Sequence, residues 1–222
     1  VAGSVKPLFP PWSNTAFRVV LALAVLLPGA ALSLGMIWVR SPLRTGKDEP
    51  VTQPVPFDHR HHVADLAIDC RYCHQTAETA ASAGVPPAAT CMSCHAQVWN
   101  KSAILEPVRE SDFTGLPIRW NRVHQLPDFV YFNHSIHVAK GIGCESCHGR
   151  VDEMPEVAQA ATLTMKFCLD CHRNPKPNLR PRELVTAMGW EQPEGQERAA
   201  YGDKLAADYH VQTRTSCTTC HR

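Results

Sequence analysis

The chain is short of aromatic side chains, of net charge and of any cysteine outside one repeated motif, and each shortage excludes a class of protein. Phe, Trp and Tyr make up only 7% of 222 residues while 18 are proline, so a large core built from protein side chains alone is not expected. Lys plus Arg number 22 against 21 Asp plus Glu; no basic face points to nucleic acid and no acidic tail to a solvating role. All ten cysteines fall in a single kind of motif, which leaves none for a disulfide framework or a free reactive thiol.

That motif is Cys-x-x-Cys-His, present five times as Cys70-Cys73-His74, Cys91-Cys94-His95, Cys144-Cys147-His148, Cys168-Cys171-His172 and Cys217-Cys220-His221. Two thiols at this spacing can add to the two vinyl groups of one haem while the adjacent histidine ligates the iron from below. Zinc is the competing reading, since cysteine pairs also build ribbons and fingers, but zinc sites take the pairs two at a time and five do not divide evenly. Zinc also has no use for a histidine directly after every second cysteine. Disulfides are excluded on different grounds, because five two-residue loops would staple nothing distant together. The expected cofactors are therefore five haem c groups, bound covalently through those ten cysteines with the five motif histidines as proximal iron ligands.

From Val19 to Val39 runs a stretch of 21 residues without a charge, bracketed by Arg18 and Arg40. As a helix it would span about 30 Å, the thickness of a bilayer's hydrocarbon core. A cleaved signal peptide competes, with Ala31-Leu32-Ser33 as a possible cleavage site, but its apolar region is normally shorter, about 7–15 residues. A retained single-pass anchor is the expectation. Trp12 and Trp38 stand near its ends, where indoles favour the interface, and Pro28-Gly29 at mid-span suggests a kink. The flanking charges, Lys6 and Arg18 before it and Arg40, Arg44 and Lys47 after it, do not set the orientation. Haem c is attached on the exported side, which places the later residues on the periplasmic or extracellular face of the cytoplasmic (inner) membrane.

The expected organisation is a short cytoplasmic segment 1–18, a transmembrane helix 19–39, a proline- and charge-rich linker 40–56 and a haem module 57–222. With about 33 residues per haem, the fold class is a multihaem cytochrome c: mostly loops and short α-helices wrapped around five haems, plus the one N-terminal transmembrane helix. An internal repeat organises the module. Phe57-x-His59-x-x-His62-Val63 precedes Cys70, and Phe132-x-His134-x-x-His137-Val138 precedes Cys144. A second haem motif follows each, 21 residues on from Cys70 and 24 on from Cys144. His210-Val211 precedes Cys217 by the same seven-residue step that separates His137 from Cys144. The module divides into two-haem units at 57–131 and 132–200 and a single-haem unit at 201–222.

Low-spin relay haems each need a second axial ligand. The distal candidates are His59, His62, His124, His134, His137 and His210, six histidines for five irons, with His61 set aside because it has no counterpart in the repeat. Histidines three apart lie on one face of a helical turn and can serve different haems on either side. A thioether would raise a haem's potential, and Met154 and Met165 are the candidates; Met92 and Met36 read as packing residues. Some of Arg71, Arg119, Arg122, Arg150, Arg173 and Arg214 are expected to pair with haem propionates. Asp152, Glu153 and Glu156 read as a solvated turn rather than a docking patch.

The strings PFDHRHHV, IDCRYCH, ATCMSCH, LPDFVYFNHSIHV, GCESCHGRVDEMP and LTMKFCLDCHR resemble the pentahaem cytochrome subunit of alternative complex III, over about residues 54–222 together with the N-terminal helix. The resemblance implies an electron-transfer subunit, not an enzyme by itself. Its partners would be other membrane and iron–sulfur subunits, with a soluble or tethered acceptor, a cytochrome c or similar, taking the electron. Contact with lipid would run through one helix. Two rivals stand beside it: a multihaem reductase, which needs one iron with an open distal face, and a stand-alone membrane-anchored quinol dehydrogenase feeding a periplasmic reductase.

Overall fold

A computed structural model describes residues 8–221, which fall into two compact units, one ending at Thr45 and one beginning at Gly46. Lys6 and the start of the expected segment 1–18 lie outside the described residues, as does Arg222.

The first unit is helix α1, Ser13–Arg40, followed by a single turn α2, Pro42–Thr45. Helix α1 has 28 residues and so extends about 42 Å. It begins six residues before the expected span, because nothing between Ser13 and Arg18 breaks a helix once the apolar run is wound. It runs through Pro28, and the Ser33 hydroxyl donates to the Gly29 carbonyl at 2.8 Å. Arg40 sits in the last turn, where a cation suits the helix dipole. None of its apolar window is buried, and Leu26, Leu34 and Ile37 stand open along it. It is long and apolar enough to cross a membrane.

In the second unit the helices are short: α3, Cys70–Cys73; α4, Ala88–His95; α5, Glu106–Thr114; α6, His134–Ala139; α7, Glu145–His148; α8, Met165–Arg173; α9, Gln196–Asp208; and α10, Cys217–Cys220. Among the described residues there is no strand, only isolated bridges such as Ile142 with Leu179. Every haem motif lies on one of these turns, since Cys-x-x-Cys brings its two thiols to one side of a helical turn. Local chemistry starts and stops them. The Asp69 carboxylate caps α3 by accepting from Arg71 N at 2.8 Å, and the Asn133 side-chain Oδ1 caps α6 by accepting from Ser135 N at 2.9 Å. Helix α5 ends on Gly115 at φ +71°, a left-handed stop that favours glycine.

The two copies of the repeat wind differently. His134–Ala139 is α-helical, whereas Arg60–Asp65 is a π-helical turn closed by Leu66 N to His61 O. His62 stands eight residues before Cys70 and His137 seven before Cys144; the wider turn takes up the extra residue.

Part of the expected linker 40–56 is bonded to distant backbone. Asp48 N donates to Gln159 O, Val51 N to Val157 O, and Val55 is only 4% exposed. Residues from Gly46 onward therefore pack as part of the second unit, because their backbone groups find partners in 157–159 that proline content does not reveal. Val55, Ala88, Leu105 and Val108 form one small core, with Met92, Ile118 and Trp120 packed on it. A second knot surrounds Leu179 and Val185, which are fully buried.

Candidate functional site

Ten free cysteines line the second unit, two in each motif. Burial raises most of their thiols: Cys70 and Cys147 reach about 11, and Cys73, Cys91, Cys144, Cys168 and Cys171 shift in the same direction. After burial, neighbouring thiols add to the rise: Cys73 acts on Cys91, Cys144 on Cys70, Cys171 and Cys168 on Cys147, and Cys220 on Cys168. The motifs therefore lie side by side in the spatial order second, first, third, fourth, fifth. Tyr72 and Ser93 join the first two through a 2.8 Å hydroxyl contact, and the Thr186 hydroxyl, next to the Val185 carbonyl that receives Cys144 N, donates to Asp69 at 2.9 Å.

The histidines carry the clearest signature. A carbonyl can only accept, so an imidazole nitrogen bonded to one must bear the proton. In the motifs, His74 Nδ1 donates to Gly84 O at 2.8 Å, His95 to Val98 O at 3.0 Å, His172 to Arg214 O at 2.8 Å and His221 to Phe129 O at 3.0 Å. Outside them, His62 Nδ1 donates to Asp58 O at 2.9 Å, His134 to Ala81 O at 2.8 Å and His137 to Asn133 O at 2.7 Å. Seven imidazoles are thus held in the tautomer that leaves Nε2 as the lone-pair nitrogen, the arrangement by which proteins orient a histidine toward a metal.

These rings also face one another. The His62 and His95 centroids are 6.2 Å apart, those of His137 and His172 6.0 Å, and those of His134 and His148 6.3 Å. Two imidazoles on opposite sides of one metal, each nitrogen about 2 Å from it, hold their ring centres about 6 Å apart. The donor set and spacing fit a haem iron between each pair, with the adjacent cysteine thiols placed for thioether attachment.

The repeat is reproduced in this geometry. Phe57 stacks on His62 at 4.4 Å and 27°, and Phe132 on His137 at 4.5 Å and 28°. The same phenylalanines meet His59 and His134 edge-on, at 4.7 Å and 87° and at 4.8 Å and 89°. His59 is the counterpart of His134; burial first, then the His74 and His62 imidazoles, push it down to about 4, and its Nδ1 is buried with no partner. His137 is lowered mainly by burial, and His148, lowered by burial and then by His124 and His134, falls to about 3. The two phenylalanines were visible in the sequence as part of the repeat, but their role as ring supports was not. The carbonyl acceptors left no signal at all: Phe129 and His221 are 92 residues apart.

The other candidates are placed less centrally. His124 lies against His148, 4.4 Å between centroids. His210 is exposed at φ +50° and makes no ring contact with a motif histidine among the described residues. Met165 is 70% exposed, and Met154 is half-buried near Gly149. His61, set aside from the sequence, bonds Asp65 and stacks at 6.3 Å on Trp99. The acidic turn is not simply solvated: Asp152 is buried and takes two hydrogen bonds from Arg150 at 2.8 and 2.6 Å. Arg71 is likewise committed to Asp69 and Glu78.

Short helices and loops, repeated Cys-x-x-Cys-His turns and paired imidazoles define the fold class as a multihaem cytochrome c with one N-terminal apolar helix. Residues 130–222 match the family of cytochrome c7 and related cytochrome c, which implies covalent haem c. The chain is also 34% identical over 97 residues to the menaquinone reductase multihaem cytochrome c subunit of Nitratidesulfovibrio vulgaris (strain Hildenborough). That match covers 43% of this chain and 45% of the relative, so the chain spans less than half the length of the curated protein it matches.

Proposed function

We propose that this chain is the electron-transfer subunit of a membrane quinol-oxidising complex of the alternative complex III kind, carrying five haem c groups. The observation that carries the reading is the facing pair of imidazoles, found at one spacing three times. When bound, each haem supplies a one-electron iron couple. The chain's residues do the rest. Cys70 and Cys73, Cys91 and Cys94, Cys144 and Cys147, Cys168 and Cys171, and Cys217 and Cys220 would hold the porphyrins by thioethers. His95 with His62, His148 with His134, and His172 with His137 would hold the irons in pairs, and the repeat would set His59 beside His74. His221 is the proximal ligand of the fifth site, with His210, Met154 and Met165 as its remaining distal candidates.

A site held by two imidazoles would leave no open position for substrate at its iron, and the three facing pairs support a relay over a reductase. The side-by-side order of the motifs supports a path that enters or leaves at the second and fifth sites. Arg119 and Arg122, which form no ion pair among the described residues, are available to propionates. The named relative is a subunit of a quinone-linked enzyme, which supports partner subunits here: a multi-helix membrane protein, an iron–sulfur protein and a soluble or tethered acceptor. Helix α1 anchors the chain in the cytoplasmic membrane, with the module on the periplasmic or extracellular side.

Affinity purification from membranes tests the whole reading. The expected result is a chain heavier than its polypeptide by five haems, co-purifying with a multi-helix and an iron–sulfur subunit. A chain isolated alone that a quinol analogue reduces directly would overturn the complex in favour of a stand-alone dehydrogenase, and fewer than five haems would overturn the cofactor count.

A further inference from the structure

Of the histidines assigned above to motifs or to pairs, His148 alone has Nδ1 bonded to another side chain. The atom 3.2 Å away is His124 Nε2, where four other motif histidines find a backbone carbonyl. His124, in the bend after Trp120, was a candidate iron ligand on residue grounds. Its ring stands 4.4 Å from His148 and is turned 72° to it, which leaves no room for a metal between the two. His134 occupies the remaining approach to His148, 6.3 Å away and inclined by only 15°. The two neighbours therefore divide the imidazole, one at its outer nitrogen and one across an iron-sized gap.

We propose that His124 is not an iron ligand but a positioning residue, accepting the Nδ1–H of His148 and so orienting and tuning the axial ligand of the third haem. This rests on the reading of His148 and His134 as axial ligands. An imidazole nitrogen is a stronger base than a peptide carbonyl, so a hydrogen bond to it leaves more negative charge on the ligating ring. More charge on the ligand favours the oxidised iron. The third site, which lies between the first and fourth motifs, is set at a lower potential than a carbonyl partner would give. No other motif histidine is supported this way, which makes the third site electronically distinct within the chain.

The test uses the full haem-loaded chain in three variants, His124→Ala, His124→Gln and His134→Ala, with haem count by mass, spin state by electron paramagnetic resonance and a potentiometric titration of the visible spectrum. Expected for His124→Ala is five haems, no new high-spin signal and one redox component moved to higher potential. Glutamine, which restores an acceptor, moves that component back. His134→Ala is expected to give one high-spin haem. A high-spin haem in His124→Ala with His134→Ala still low-spin would overturn the proposal, as would an unchanged titration in His124→Ala. Loss of the low-spin state in neither variant would instead overturn the axial pairing itself.

Discussion

Replacing Arg180 by alanine is expected to loosen the third haem motif from the segment that braces it. The side chain is 5% exposed, and its Nη2 donates to Glu145 at 2.8 Å while Nη1 donates to Ala187 O at 2.7 Å. Glu145 directly follows Cys144, so the pair clamps the haem loop itself. The guanidinium also lies 5.1 Å from the Trp190 ring centroid. Removing one partner of a buried ion pair costs about 3–5 kcal/mol, because the other charge is left without compensation. Glu145 keeps one acceptor contact, from Gly189 N at 2.6 Å, so the low end applies, about 3 kcal/mol. For a unit of this size that is a fall of about 6–12 °C in melting temperature. Thermal denaturation of the haem-loaded protein, followed by far-ultraviolet circular dichroism at one scan rate, measures it. Glu145→Ala and the double variant complete a cycle. The double variant should lose less than the sum of the singles by at least about 1 kcal/mol. A fall below about 2 °C, or strict additivity, would refute the claim that this pair acts as a buried clamp.

Gly143→Ala should reproduce much of that loss without touching either charge, since a Cβ there would collide with the Arg180 guanidinium; melting at wild-type temperature would show that the guanidinium can move aside freely. His62→Ala and His137→Ala should each convert one low-spin haem to high spin, counted by paramagnetic resonance, because each removes one ring of a pair spaced at 6.2 or 6.0 Å; unchanged spectra would break the pairing. The Asp69 carboxyl is held down to about 2 from 3.8, chiefly by the side-chain bond from Arg71. Its contribution is complete above about pH 4 and is lost as pH falls toward 2; with 42% of the side chain exposed, screening limits it to about 1 kcal/mol. Acid titration of stability should therefore flatten in Asp69→Asn over that window, and identical curves would dismiss the bond as a contributor.

Cofactor chemistry was legible in the residues because covalent attachment is a local matter: two cysteines and a histidine within five positions must fold onto one turn whatever surrounds them. The same locality exposed the repeat and the apolar helix. Pairing of the histidines was not local. His134 reaches the Ala81 carbonyl, 53 residues back, and His172 the Arg214 carbonyl, and backbone acceptors carry no sequence signature. The same holds within the expected linker, where Asp48 and Val51 are held by backbone partners more than 100 residues away.

Taken alone, then, the amino-acid order determined the class of cofactor the chain can bind, the number of Cys-x-x-Cys-His motifs and that one segment is apolar enough for lipid. Tertiary structure decided which imidazole faces which, which motifs are neighbours, and that His124 meets the outer nitrogen of His148. Attachment depends on spacing along the chain, whereas ligation, support and the order of the sites depend on distances that only packing sets.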